Sequence, residues 1–364
     1  MNVAVFCGSL SRGGTERVVV NLIDYLIEKG DKVTLVTREK HDNEYPLNPD
    51  AKRFLLALTP EEETGSRIGN LKTRYKKLTN IWKEQKVEVI LSFIGKCNFM
   101  AIETGNKLNI PVAVCVRALP ELEYDSFVMR IRAKMLFPKA KRCVFQTKDQ
   151  MKFFSKKVQK KSVILKNPMN EEFFEPPYDG IREKTIVTVG RIDQNKNHRM
   201  IIDAFNRIQS TISDWKVVIY GDGELRNELI EYVKELGLED KISLPGNVEN
   251  VAEKIKKTGV FVLSSDTEGS PNALIEAMLL GIPVISTDCP SGGPGELIRD
   301  GVNGLLIPVG DVALLQDNLQ KLINNLQLQK LLSQNSLKTR DIYSREKILG
   351  EWRDMLENML NSPK

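Results

Sequence analysis

Twice along this chain, short β-branched runs alternate with segments whose apolar residues recur at helical spacing, and few folds accommodate that alternation. "VAVFCG" (3–8) reads as a strand. Residues 16–29 then carry Val18, Val19, Leu22, Ile23, Leu26 and Ile27 on one helical face, and "KVTLVT" is a strand again. Further strands are expected in "VEVILSF" (87–93), "PVAVCV" (111–116) and "RCVFQT" (142–147). The first half therefore predicts an open parallel α/β sheet.

A second series follows in "TIVTVG" (185–190), "KVVIYG" (216–221), "KISLPG" (241–246), "VFVLSS" (260–265) and "PVIST" (283–287). Between its strands run helices such as 200–208, with Met200, Ile201, Ala204, Phe205 and Ile208 apolar at helical spacing. The stretch 167–184, "NPMNEEFFEPPYDGIREK", concentrates proline, glycine and acid and reads as a linker. At 364 residues the chain exceeds the ~250–300 at which one core stops growing. Two doubly wound domains are expected, 1–170 and 171–343, facing across a cleft. In such sheets ligands bind outside the carboxyl ends of the strands.

The five cysteines (Cys7, Cys97, Cys115, Cys143, Cys289) are scattered and show no C-x-x-C spacing, which argues against a disulfide framework and a zinc site. No run approaches the ~18 apolar residues of a membrane-spanning helix, and the first residues lack the basic flank of a signal peptide. A cytoplasmic location is expected. The net charge of +5 hides an asymmetry: residues 1–170 hold 31 Lys and Arg against 18 Asp and Glu, and the remainder 22 against 30. A basic half points to a polyanionic partner, whether nucleic acid, an anionic membrane surface or substrate phosphates.

Four features fall just past expected strand ends. In "GSLSRGGTER", Gly13 and Gly14 let backbone approach a ligand with a helix N-terminus behind it, and serve equally a tight turn. The spacing is not G-x-G-x-x-G, which removes the main support for a dehydrogenase. In "VGRIDQNKNH", Arg191 and Lys196 could neutralise a diphosphate together; singly, each is also an ordinary loop charge. "YGDGEL" places Gly221 after a strand. In "SSDTEGSPNALIEAM", Ser270 reads as an N-cap and Pro271 as the first helical residue, an end that attracts phosphate. Glu268 and Glu276 flank it, within one to two helical turns of each other. The alternatives are a favourable acid near a helix start and a surface residue of that helix.

Glu268 and Glu276, seven residues between them, resemble the E-x7-E signature of retaining family 4 glycosyltransferases, whose fold is the two-Rossmann GT-B architecture. "GRIDQNKN", "GDGEL", "GVNGLLIP" (301–308) and "GGTER" are similar to that family's elements in order and spacing, over nearly the whole chain. The resemblance implies that Arg191 and Lys196 bind the donor diphosphate, that Glu268 meets donor-sugar hydroxyls, and that Glu276 meets the ribose. It adds Gly13, Gly14, Gly221, Asn247 and Val248, with Gly269, Ser270, Pro271, Asn272 and Ala273 at the helix start, as donor contacts. The implied donor is a nucleotide diphosphate sugar, with UDP-sugar first. No metal or other cofactor is required, and the anomeric configuration is retained.

On the acceptor side, Arg117 in "VRALPELEY" and Thr15 are candidates, a plain surface arginine being the alternative for Arg117. The chain holds two histidines: His41 is expected to be exposed and His198 structural. Within the family, the chain looks most like enzymes that extend polyprenyl-diphosphate-linked glycans. The basic interleaved stretch 127–145 is then either a helix docking on anionic lipid or an ordinary helix with one solvated face. A nucleotide-sugar epimerase of the same architecture, or a non-catalytic binding protein, are the alternatives. Nothing supports a nucleic-acid module: neither an aromatic platform nor a helix-turn-helix pattern is present. By resemblance the final helix, 344–360, should pack back on the first domain.

Overall fold

The computed structural model describes residues 1–11 and 13–362. The chain forms two compact units, Met1–Pro168 with Glu346–Lys364, and Met169–Arg345.

The first unit is built on a seven-stranded parallel sheet: β1 (Asn2–Cys7), β2 (Lys32–Thr37), β3 (Lys52–Leu55), β4 (Val89–Phe93), β5 (Val112–Cys115), β6 (Arg142–Phe145) and β7 (Ser162–Ile164). Their order is β3-β2-β1-β4-β5-β6-β7, so the winding reverses between β1 and β4. Every residue of β4 and β5 is buried, as expected for central strands covered on both faces. β3 and β7 are short edge strands that carry no continuous apolar run, and so escape a periodicity reading.

The C-terminal helix Arg345–Asn361 belongs to this unit and buries Ile348, Leu349, Trp352, Met355, Leu356 and Met359. Trp352 stacks on Phe93 at the end of β4, with ring centroids 6.0 Å apart, and donates its indole N–H to the Lys166 carbonyl at 3.1 Å. Arg353 Nε reaches the buried Asp31 carboxylate at 2.8 Å.

The second unit carries six parallel strands: β8 (Glu183–Val189), β9 (Lys216–Tyr220), β10 (Ile242–Gly246), β11 (Thr258–Leu263), β12 (Val284–Thr287) and β13 (Leu305–Ile307). Their order is β10-β9-β8-β11-β12-β13, and the winding reverses between β8 and β11. Helix His198–Ile208 packs Met200, Ile201, Ala204, Phe205 and Ile208 into the core of this unit, on the face their spacing predicts.

The stretch 167–184 is not a free linker. From Met169 onward it is part of the second unit: Met169 and Phe173 are fully buried, and Arg182 donates to the carbonyls of Lys256, Thr258 and Gly281. Its apolar residues and its arginine find partners made only by the folded sheet, which composition does not reveal.

Candidate functional site

The reversal between β8 and β11 brings two loops together, Gly190–Asn197 after β8 and Ser264–Pro271 after β11. Asp266 N donates to Asn195 O at 2.8 Å, Thr267 Oγ1 to Asn195 Oδ1 at 2.6 Å, Asn195 Nδ2 to Thr267 O at 3.1 Å, and Asn197 Nδ2 to Asp266 Oδ1 at 3.1 Å. Ser264 Oγ takes the Lys196 carbonyl at 2.8 Å. Asp193 caps the turn by accepting the Lys196 N–H at 3.1 Å, and Asn197 closes it in the left-handed region at φ +47°.

This stitching holds Lys196 against Glu268. The lysine Nζ is ion-paired with Glu268 Oε1, and Ser265 Oγ donates to the same oxygen at 2.8 Å. Both side chains are largely buried, so the pair is poorly screened by solvent. Lys196 and Ser265 both bond Oε1, and among the described residues Glu268 Oε2 has no hydrogen-bond partner, which leaves that oxygen as an acceptor. The loop after β12 grips the Glu268 backbone from both sides: Glu268 N donates to Pro290 O at 3.1 Å, and Gly293 N to Glu268 O at 3.2 Å.

The helix that follows spans Asn272–Leu279, and its N-cap is Pro271, not Ser270. The backbone of Pro271 has a helical φ of −77° but a ψ of 81°, because the grip on Glu268 holds the preceding loop out of the helix. The expected serine cap is therefore displaced by one residue, and no side chain caps the helix. The first-turn N–H groups of any helix have no carbonyl within that helix to bond, so this end suits an anion. Gly269, Ser270, Asn272 and Ala273 are half-buried around it. Glu276 is 4% exposed, which excludes the surface-residue alternative.

Gly221 follows β9 at φ +134°, and a Cβ there would stand 1.8 Å from Gly190 O, so both conformation and space require glycine. Gly246 O accepts its N–H at 2.9 Å, which puts Asn247 and Val248 at the neighbouring strand end. Arg191 lies at the same end of the sheet but is not drawn into the pair. Its side chain is 76% exposed and 3.3 Å from Asp193.

His198 is buried, with Nε2 3.2 Å from Arg191 O; burial pushes its pKa down to about 4, so the ring is neutral. His41 is exposed. Cys289, buried beside the site, has its thiol pushed up to about 12 by burial and then by Glu268, and is no nucleophile. All five cysteines are free and buried.

Gly13, Gly14, Thr15 and Arg117 belong to the first unit. Gly13 is the N-cap of helix Gly14–Glu28, in extended backbone with no side chain to cap it, and Thr15 is half-buried in the first turn. Arg117 is no surface arginine: it is 8% exposed, its guanidinium 5.9 Å from the Phe93 ring and 5.8 Å from that of Trp352. Nη2 bonds Asn167 Oδ1, whereas Nε and Nη1 are buried without a partner. Burial lowers its pKa to about 10, so it stays a cation.

Sequence reasoning missed Ser265, Asn195, Thr267 and Gly293, which position Glu268 rather than offer chemistry of their own. The glycine pair in "PSGGPG" was the one available signal. Among the described residues, no three His, Cys, Asp or Glu side chains group to hold a metal, and no helix is long and apolar enough to cross a membrane.

Residues 171–339 match the model of the family "Glycosyl transferases group 1". An N-acetylgalactosamine-N,N'-diacetylbacillosaminyl-diphospho-undecaprenol 4-alpha-N-acetylgalactosaminyltransferase of Campylobacter jejuni is 30% identical over 93% of this chain and 94% of its own length. A second C. jejuni enzyme, an alpha-1,4-N-acetyl-D-galactosaminyltransferase acting on a GalNAc-containing PP-undecaprenol glycan, is 27% identical over the full length of both. Among solved structures, Anabaena Alr3699/HepE in complex with UDP superposes at a TM-score of 0.84 with 16% identity, covering 98% of this chain and all of the other. The sucrose-phosphate synthase of Thermosynechococcus elongatus superposes at 0.82 with 17% identity over 99% of both. The fold is thus GT-B, two parallel-sheet Rossmann-like domains. With its paired lysine and glutamate at the strand reversal and a relative matched over nearly its whole length, the chain belongs to the group 1 glycosyl transferases.

Proposed function

We propose that this glycosyltransferase moves a sugar from a UDP-sugar to a hydroxyl of a polyprenyl-diphosphate-linked glycan with retention of anomeric configuration, without a metal ion, at the cytoplasmic face of a membrane. The observation that carries this reading is the Lys196–Glu268 pair beside the uncapped start of helix Asn272–Leu279. The lipid-linked acceptors of the two C. jejuni relatives and the UDP of the Anabaena structure support the substrates.

In this reading the bond from the sugar C1 to the diphosphate oxygen breaks, and a bond from the acceptor oxygen to C1 forms on the same face. The acceptor proton leaves with the diphosphate. Lys196, the first-turn N–H groups after Pro271, and Arg191 swung from its exposed position stabilise the growing negative charge. Glu268 Oε1 is held by Lys196 and Ser265, so Oε2 accepts a hydrogen bond from a sugar hydroxyl and sets the ring's orientation. Glu276 accepts from the ribose. Gly221, Asn247 and Val248 line the nucleotide's path, and Gly13 and Gly14 contribute backbone to the donor. Thr15 and Arg117 serve the acceptor, Arg117 once the packing over its buried Nε and Nη1 opens.

The test is a thermal-unfolding panel against UDP, GDP, ADP and CDP, with Mg²⁺ and with EDTA, followed by transfer from UDP-sugars to a polyprenyl-diphosphate glycan. A ligand at about a hundred times its Kd adds ~2.7 kcal/mol of stability. A shift for UDP alone, retained in EDTA, with an α-linked product from an α-linked donor, is expected. A shift only with Mg²⁺, or a β-linked product, would refute the corresponding part.

A further inference from the structure

Helix Phe127–Leu136 of the first unit turns large apolar side chains to solvent. Its inner face is fixed: Ala133 and Leu136 are buried, Met129 packs on the core, and the Arg132 guanidinium lies 4.8 Å from the Phe99 ring centroid. Arg132 Nη2 also donates to Glu103 at 2.9 Å and to Tyr75 Oη at 3.2 Å. With that face inward, Phe127, Ile131 and Met135, four residues apart along one line, stand outward beside Val128. They are 78%, 41%, 61% and 65% exposed, and Leu122 in the preceding turn is 64% exposed. An apolar patch this contiguous marks a surface that something covers.

The charges around it identify what. From Ser126 to Lys148 the chain has no Asp or Glu, and Arg130 and Lys134 lie exposed along the stripe, with Lys139 beyond its end. Asp125 and Glu121 are exposed at the helix start, whereas Glu123 is half-buried and its carboxylate accepts the N–H groups of Gly95 and Arg117. Two copies meeting through this face would set Arg130 and Lys134 against their own kind, so an apolar surface rimmed by anions is the better match.

We infer that this helix docks the protein on a bilayer containing anionic lipid. The apolar line sinks into the boundary between headgroups and acyl chains, while the Arg130 and Lys134 stems extend to lipid phosphates. The inference rests on the reading that the acceptor is lipid-linked, and it assigns the surface that brings the enzyme to it.

Co-sedimentation of the full chain with vesicles, without donor or acceptor, tests this. Binding to phosphatidylcholine vesicles with about a third phosphatidylglycerol is expected to exceed binding to phosphatidylcholine alone by tenfold or more, and to fall with salt. The double variant Ile131→Ser with Met135→Ser should lose most of that binding, and Arg130→Gln and Lys134→Gln about fivefold each, with unfolding temperatures unchanged. Equal partition into both vesicle types, or undiminished binding by the serine variant, would overturn the inference. So would a concentration-dependent dimer abolished by the same variant, which would give the face to a second copy. Vesicle binding without sugar transfer would sink only the functional reading; transfer to a short-chain soluble acceptor without vesicle binding would sink only this one.

Discussion

Lys196 and Glu268, 72 residues apart in sequence, form an ion pair at the point where the second sheet reverses its winding. The lysine's charge is thereby placed beside the start of helix Asn272–Leu279, and the glutamate's free oxygen beside the lysine. Lys196→Ala is expected to lower kcat/KM by roughly 10²–10³-fold and to remove most of the UDP-induced thermal shift. Glu268→Gln keeps the shape and should lower kcat by a similar factor while the UDP shift survives. Steady-state transfer kinetics beside thermal shifts separate the two; wild-type kcat in Glu268→Gln would contradict the role given to its carboxylate.

Gly293 tests whether Glu268 is held by its surroundings or by its ligand. A Cβ at this position would stand 2.5 Å from Gly269 O, 2.9 Å from Glu268 O and 2.9 Å from Pro271 Cδ, two of them backbone atoms that cannot rotate away. Gly293→Ala must shift the loop after β11, and misplacement by about 1 Å costs on the order of 10²-fold in rate. We expect kcat to fall by that order with a stability loss of about 1–3 kcal/mol, read from denaturant unfolding. Unchanged kcat would mean that bound donor, rather than the loop after β12, sets the position of Glu268.

The strand series, the two-unit architecture and the glycosyltransferase assignment were legible in the sequence because each rests on local pattern. β4 and β11 are buried throughout and mostly apolar, Ser92 and Thr258 being their polar residues. What lay beyond reading depends on long-range partners. Arg117 is buried because Trp352, from the far end of the chain, covers it. Arg191 is exposed although its neighbour Lys196 is not, because only the lysine finds a carboxylate on the second loop. The serine cap failed by one residue because Gly293 N and Pro290 O, not local propensity, decide where that helix begins.

His198 gives the second unit a pH signature. Its Nε2–H donates to Arg191 O, its Nδ1 is buried without a partner, and burial holds its pKa near 4, below the ~6.5 of an unfolded chain. The stability this represents is fully present above pH ~6.5 and is lost as pH falls through 4, because the unfolded chain takes up the proton first. The loss across that window is roughly 3 kcal/mol. Thermal unfolding at pH 7.0 and 4.5 should show a smaller drop in His198→Gln than in wild type. Equal drops would mean that the folded ring protonates as readily as a free one.

Arg117 and Trp352 carry opposed terms that one pair of variants separates. Trp352 is fully buried, stacked on Phe93 and hydrogen-bonded to Lys166 O, so Trp352→Ala should cost about 3–5 kcal/mol. Arg117 gains about 1–2 kcal/mol from lying beside the stacked Phe93 and Trp352 rings. Against that stands a buried cation with Nε and Nη1 unpartnered, a state that apolar replacement commonly improves by 1–4 kcal/mol. Its one bond, to Asn167 Oδ1, is not missed, since Gln146 Nε2 donates to the same oxygen at 3.3 Å. Arg117→Met is therefore expected to be as stable as wild type or more so in urea unfolding, and, if Arg117 serves the acceptor, to raise the acceptor KM with the donor KM unchanged. A loss above about 2 kcal/mol would show that the contact with the stacked rings outweighs the cost of the buried charge, and would make Arg117 a brace for the C-terminal helix.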